Sequence, residues 1–296
     1  MTAGSKIIPV MTIVALIVAI WYACVVWMNA PFEYDQAERA KTEPPAFSEL
    51  VSRTMAQERP VLPAPHQVFQ EIYKTTVLKK ITSKRSLVYH SWITLSATLL
   101  GFLIGAALGI ALAVGIVHNL AMDKSVMPWV ITSQTIPILA IAPMIIVVLN
   151  AVGISGLLPK ALISTYLSFF PVVVGMVKGL RSPDRAQLDL MHTYSASKSQ
   201  TFWKLRWPSS MPYLFTSLKI AVAISLVGAI VGEMPTGAVA GLGARLLAGS
   251  YYGQTIQIWS ALFMAAALAA ILVMIVGLAH SHVLRRMGEK PQGAVT

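Results

Sequence analysis

Few residues in this chain could do chemistry, and their spacing suits binding and conformational work better than bond making. Glu233 closes an apolar run and opens the stretch Gly232-Glu-Met-Pro-Thr-Gly237-Ala-Val-Ala-Gly241-Leu242-Gly243-Ala-Arg245. A carboxylate at the centre of a bilayer costs about 2.5–3.5 kcal/mol, so Glu233 is expected near the interface or facing the protein interior. There it would anchor the following loop or act as a gate. Arg245 could attract an anionic substrate, although a solvated loop charge is the simpler expectation. His280 and His282 end another apolar run and read as an interfacial pair, not as metal ligands. The sequence has no Gly-x-x-x-x-Gly-Lys-Ser/Thr, no His-Glu-x-x-His and a single cysteine, Cys24. It therefore offers no P-loop for ATP, no paired-cysteine metal site and no internal disulfide. No acid and base stand at catalytic spacing within the apolar runs, so a non-enzyme is expected, with no metal and no cofactor on this chain.

The densest polar constellation lies between Pro183 and Tyr213. Its centre reads Asp189-Leu-Met-His-Thr-Tyr-Ser195-Ala196-Ser197-Lys-Ser-Gln200-Thr-Phe202-Trp203-Lys-Leu205-Arg-Trp-Pro208. Ser182 can cap a helix with Pro183 at its first position, and Ser197 with Gln200 has capping-box spacing. The spacing predicts a helix, a break near Ser195, a second helix of two or three turns, and a stop at Trp207-Pro208. Phe202, Trp203 and Leu205 alternate there with Lys198, Lys204 and Arg206. Such a helix could lie on lipid headgroups or dock a partner protein.

The elements that must position these residues are apolar spans. Across 296 residues, 56% are hydrophobic and 12% charged, too few charges to cover a soluble globule of this length. Six spans are expected, over 7–28, 91–117, 126–150, 158–179, 213–232 and 256–283. The first is too long for a signal-peptide core and reads as a membrane anchor, with a cleaved signal as the alternative. The net charge of +11 would suggest nucleic acid in a soluble protein, but here it reports basic loops and contact with anionic lipid. Lys178, Arg181 and the cations up to Lys219, with Arg285 and Arg286, place the 181–212 loop and the tail 284–296 in the cytoplasm. An even number of spans then puts both termini there. Residues 29–90 become an extracytoplasmic insert with an amphipathic segment. Lys79, Lys80, Lys84 and Arg85 stand against that placement, being basic residues on the outer side.

Within the spans, Ala97, Gly101, Gly105, Gly109 and Ala113 form a stripe of small residues at every fourth position. It suits close helix packing inside one subunit. Pro137 and Pro143, in Gln134-Thr135-Ile-Pro137-Ile-Leu-Ala-Ile-Ala-Pro143, free backbone carbonyls that protein or a watered path must satisfy. They are expected either to kink the third span or to line a path.

The 189–208 stretch resembles the EAA loop of ABC-transporter permeases in its spacing. Asp189 takes the place of the acid, Ser195 that of the glycine, Leu205 that of the aliphatic residue, and Pro208 that of the closing proline. Leu62-Pro-Ala-Pro, Gln134 to Pro143, Phe169-Phe170-Pro171, Glu233 and Gly241-Leu-Gly243 resemble the permeases of nitrate, sulfonate and taurine importers. This resemblance covers about residues 62 to 285. It implies an all-α membrane protein with the type I ABC importer permease fold, in a bacterial inner membrane. It also implies a second permease copy as a homodimer, separate ATPase subunits carrying ATP and Mg, and a soluble extracytoplasmic binding protein. Asp189, Ser195, Ala196, Ser197, Gln200, Phe202, Trp203, Leu205 and Pro208 would couple to the ATPase. Gln134, Thr135, Pro137, Pro143, Phe170, Glu233, Gly241 and Gly243 would line or gate the path. An ion-driven secondary transporter or a membrane scaffold are the alternatives, but paired membrane charges and an internal repeat are not evident.

Overall fold

Long helices arise because uninterrupted apolar runs in a bilayer must satisfy every backbone group within the segment. The computed structural model describes residues 4–235 and 240–288. The side chain of Lys6, residues 236–239 of the loop after the fifth span and residues 289–296 of the expected tail lie outside that description. Among the described residues five helices are long and apolar enough to cross a membrane, and a sixth crossing results if one bent pair counts as a span. By contact the chain forms two units, Met1–His90 with Arg245–Met264, and Ser91–Ala244 with Ala265–Thr296.

In the first unit, α1 runs over Gly4–Ala40. Its 37 residues span about 55 Å at 1.5 Å each, well beyond the ~30 Å apolar core of a bilayer. The helix therefore continues through 29–40, where composition suggested a linker. Asn29, fully buried, explains why that extension is ordered. Its Nδ2 donates to the carbonyls of Leu62 (2.9 Å) and Thr54 (3.3 Å), and its Oδ1 accepts from the amides of Val61 (2.8 Å) and Leu62 (3.1 Å). Gln57 donates to Glu33 (2.6 Å), and Gln67 donates to the Gln57 carbonyl (2.9 Å). This polar clasp folds α2 (Phe47–Ala56) and the start of α3 (Pro65–Tyr73) against α1. Trp21 stacks with Phe263 and donates to the Pro63 carbonyl (3.0 Å), holding the apolar part of the same unit.

The second unit contains most of α4 (Leu87–His118), then α5 (Leu120–Ser133), α6 (Ile138–Ala151), α7 (Leu157–Leu180), α8 (Arg185–Thr193), α9 (Lys198–Thr201) and α10 (Trp207–Glu233). The start of α11 (Leu242–Tyr251) and the later part of α12 (Thr255–Arg286) complete it. The small-residue stripe of α4 packs on α7 within the subunit. A Cβ at Gly109 would come within 2.7 Å of Val172 Cβ, and one at Gly101 or Gly105 would overlap Ser164 or Ser168. Hydroxyls tie α4, α7 and α10 together: Thr165 donates to the Gly101 carbonyl (3.1 Å) across the α4–α7 seam, Ser164 of α7 and Ser225 Oγ of α10 are 2.6 Å apart, and Ser225 donates to the Thr98 carbonyl of α4 (2.8 Å). Such interhelical bonds contribute on average about 0.6 kcal/mol each. Phe215 stacks on His280 at 5.2 Å, so this histidine packs against α10, while His282 is exposed.

The expected third span is not one straight helix. α5 and α6 meet at 97° across residues 134–137. Fourteen residues each give about 21 Å, so neither crosses the bilayer alone. Pro137 accounts for the break, because it has no N–H for the Ser133 carbonyl and forces the preceding residue out of the helical region. Tyr166 donates its hydroxyl to that orphaned Ser133 carbonyl. Pro143, by contrast, sits inside α6 without breaking it. α11 is a helix that the sequence reading left as loop.

Candidate functional site: a capped polar loop and a buried carboxylate latch

The polar loop begins at Asp184, which caps α8 by accepting from the Gln187 amide at 2.8 Å, while Gln187 Oε1 accepts from the Asp184 amide. Ser182 lies outside the helix and bonds back to the Gly179 carbonyl at 2.7 Å, so the cap falls two residues later than expected. Asp189 is exposed on α8. The break falls where the spacing placed it: Ser195 has φ 51°, in the left-handed region that favours glycine. The Ala196 amide bonds to the Met191 carbonyl (3.0 Å) and the Ser195 amide to that of His192 (2.9 Å), closing α8. Ser197 then caps α9, with Gln200 reaching back at 2.8 Å to complete the box.

No stop occurs at Trp207-Pro208. α9, a π turn over Phe202–Arg206 and α10 form one continuous helix from Lys198 to Glu233, 36 residues long. In the π turn the Trp207 amide bonds to the Phe202 carbonyl, five residues back. Pro208 enters where the ladder shifts register, so its missing N–H does not break the helix. Phe202 turns inward, 5.0 Å from the His118 ring, and joins the apolar core with Met176, Leu180 and Met211. Trp203 turns outward and is 59% exposed. Leu205 is half-buried, Ala196 is half-buried and Gln200 is exposed. Arg206 donates to the Leu180 carbonyl at 3.0 Å, and Arg181 pairs with Asp123 at 2.8 Å, fixing the loop's base to α7 and α5.

At the other end of α10, Glu233 is fully buried. Its carboxylate accepts from Thr94 Oγ1 (2.9 and 3.0 Å) and from the Gly243 amide (2.9 Å), and Lys160 Nζ lies 4.0 Å away. Thr94 Oγ1 accepts in turn from the Leu242 amide (2.9 Å), and Lys160 donates to the Ala240 carbonyl (3.2 Å). Four parts of the unit, α4, α7, α10 and the 240–243 turn, thus meet on one carboxylate. Gly241 has φ 128°, and a Cβ there would overlap the Glu233 carboxyl group. A Cβ on Gly243 would meet Glu233 Cβ at 2.9 Å. The glycines are required because the backbone wraps the acid.

The remaining path candidates do not converge on this latch. Gln134, Thr135 and Pro137 form the α5–α6 break. Phe170 lines a groove of about 550 Å³ between α7 and α10, with Lys178, Tyr213 and Thr216. Arg245 is not a solvated loop charge. It is 8% exposed, pairs with Glu71 at 3.4 Å and donates to the Arg85 carbonyl at 3.3 Å. Burial lowers its pKa, and Glu71 opposes that shift. Thr94, Lys160, Tyr166 and Asp123 are site-forming residues that sequence reasoning missed. Among the described residues, no three His, Cys, Asp or Glu side chains are grouped to hold a metal.

Spanning helices, an exposed capped loop and a buried carboxylate cluster together describe a polytopic membrane protein. Residues 105–289 match the family described as "Binding-protein-dependent transport system inner membrane component", and the chain belongs to that family. It is 34% identical over 194 residues to the formylaminopyrimidine transport permease protein ThiX of Halalkalibacterium halodurans, covering 65% of this chain and 72% of the relative. It is 34% identical over 157 residues to the riboflavin transport system permease protein RibX of Chloroflexus aurantiacus (53% and 57% covered). It is also 26% identical over 182 residues to the nitrate import permease protein NrtB of Synechocystis (60% and 64%). The structure described as "Inward facing conformations of the MetNI methionine ABC transporter" aligns with TM-score 0.48 and 19% identity, over 75% of this chain and 96% of that one. The chain is an ABC importer permease subunit, non-catalytic and multi-pass in the bacterial inner membrane, working with separate ATPase and binding-protein subunits.

Proposed function

We propose that the 184–208 loop is where the ATPase subunit docks, and that α9 with its π turn drives α10 as a single lever. The observation that carries this is the unbroken helix from Lys198 to Glu233, preceded by the left-handed turn at Ser195. Displacement of the exposed Trp203 face would pass along α10 to Glu233 without a flexible joint. ATP and Mg belong to the docked subunit, and none is required on this chain. Two copies of the permease would enclose the path, with Gln134, Thr135, Pro137, Pro143 and Phe170 along it and the Glu233 latch with Gly241 and Gly243 as its gate. The solute would be a small heterocycle of the pyrimidine or flavin-precursor class. Two relatives named for such compounds are each 34% identical, and the buried Arg245 already has a carboxylate partner.

The test is purification of the tagged chain from its own membranes, followed by mass spectrometry and an ATPase assay. Recovery of a P-loop ATPase and a binding protein loaded with a heterocycle is expected. Replacing 196–203 with a Gly-Ser linker should abolish transport while the spans stay folded. Full-rate transport by that variant would overturn the coupling assignment, and a binding protein loaded with nitrate or a sulfonate would overturn the substrate class.

A further inference from the structure

The chain between α3 and α4 is fixed in place yet presents cations and apolar side chains together. It consists of a π turn over Lys74–Leu78 and an irregular connector up to Ser86. Its backbone is pinned from both ends. Thr75 and Ser86 are buried, and Ser86 Oγ donates to the Thr75 carbonyl at 3.1 Å. His90 Nε2 reaches the Lys84 carbonyl at 3.0 Å, and Arg245 the Arg85 carbonyl. Between the pins, Val77, Leu78 and Ile81 are exposed, the last two at 66%. Lys74, Lys80, Lys84 and Arg85 are exposed beside them, and Lys79 is half-buried. Glu71 is the sole acid from residue 71 to 86, and Arg245 already engages it. The patch is thus strongly cationic, and α4 begins one residue after it.

We infer that residues 74–85 form a binding surface for anionic phospholipid headgroups, with Val77, Leu78 and Ile81 dipping below them. Exposed aliphatic side chains are unfavourable in water but favourable at the acyl boundary, and adjacent cations gain from a negative surface potential. The same surface accounts for the basic residues that conflicted with a charge-based topology. They would bind phospholipid of the leaflet in which they lie, instead of marking the cytoplasmic side. The inference does not depend on the coupling loop or on the substrate proposed above.

Amide hydrogen exchange of the intact importer complex in lipid nanodiscs tests it locally. Phosphatidylcholine discs are compared with discs containing about a third phosphatidylglycerol. Exchange over 77–86 should slow roughly threefold or more in the anionic discs, and high salt should remove that difference. The variant Lys74→Gln/Lys80→Gln/Lys84→Gln/Arg85→Gln keeps every backbone pin, and it should exchange equally in both lipids. Equal exchange of the unaltered protein in the two lipids would overturn the proposal, as would slowing that survives in the variant. Slowing that appears only on adding the binding protein, in both lipids alike, would assign the patch to an acidic protein surface and overturn it too. If the variant does not fold, the salt dependence of the unaltered protein decides.

Discussion

The two ends of the helix from Lys198 to Glu233 are built on opposite principles. At Glu233 the carboxylate is fully buried and engaged by two side chains and an amide from three other segments. At the Lys198 end capping boxes and a left-handed turn shape the loop, Phe202 and Arg206 tie its base to the core, and large side chains such as Trp203, Tyr194 and Leu190 face outward. Burial of a charge is tolerable only with full compensation, so the first end is held by its own subunit. Trp203 touches the Phe202 and Trp207 rings yet stays 59% exposed, and exposed aromatic surface of this kind is suited to meet another protein. One continuous helix therefore joins an exposed aromatic surface to a buried, fully engaged carboxylate.

The sharpest way to break this comparison is Glu233→Ala. It strands Lys160, Thr94 and the Gly243 amide, and loss of one partner from a buried charged network costs about 3–5 kcal/mol. A lower thermal unfolding midpoint in detergent and loss of transport are expected, whereas Glu233→Gln should lose less because it keeps the shape and some acceptors. Trp203→Ala should do the reverse. Unfolding should move by about 1 kcal/mol, for the lost contacts with the Phe202 and Trp207 rings, while ATPase-subunit affinity falls by about 2 kcal/mol, roughly thirtyfold. Titration of the ATPase subunit onto the reconstituted permease reads that change. If Trp203→Ala destabilised the permease as much as Glu233→Ala, the two ends would not differ in kind.

Away from this helix, at the α5–α6 break, the Ser133 carbonyl accepts from the Tyr166 hydroxyl. Tyr166→Phe removes its donor and should cost about 1 kcal/mol in thermal or denaturant unfolding. In a Pro137→Ala background residue 137 regains an N–H, and the penalty of Tyr166→Phe should shrink toward zero. A double-mutant cycle measures that coupling, and additive losses would mean that Pro137 is not what orphans the carbonyl.

How much of this was legible in the sequence follows the range of the interactions. Apolar runs mark three of the spans closely, those of α4, α7 and α12, because helix formation in lipid depends on the segment alone. The Ser197 and Gln200 box, the break at Ser195 and the stripe from Ala97 to Ala113 are likewise local patterns. What escaped is long-range. Thr94 meets Glu233 from 139 positions away, and Arg245 meets Glu71 from 174, with no local signal for either. The extension of α1 past residue 28 depends on Asn29 finding partners near Leu62, which converts a linker-like composition into helix. Pro208 misled for a different reason. A proline reads as a helix stop, but the π turn before it changes the register in which its N–H would be needed.

The smallest effect tests the contact end at its turn. Ser195 holds φ 51° although a residue with a Cβ pays roughly 1–2 kcal/mol for left-handed backbone. Ser195→Gly should remove part of that strain, and the larger entropy of glycine in the unfolded chain offsets some of the gain. A net stabilisation of about 0.5 kcal/mol is expected in denaturant unfolding, with ATPase-subunit affinity unchanged, because the turn geometry stays the same. Ser195→Val should instead lose about 1–3 kcal/mol locally, since a β-branched residue resists that conformation, and should weaken docking by misdirecting α9. A fall in affinity with both variants would show that the Ser195 side chain itself meets the partner, whereas a fall with valine alone assigns the position to backbone geometry.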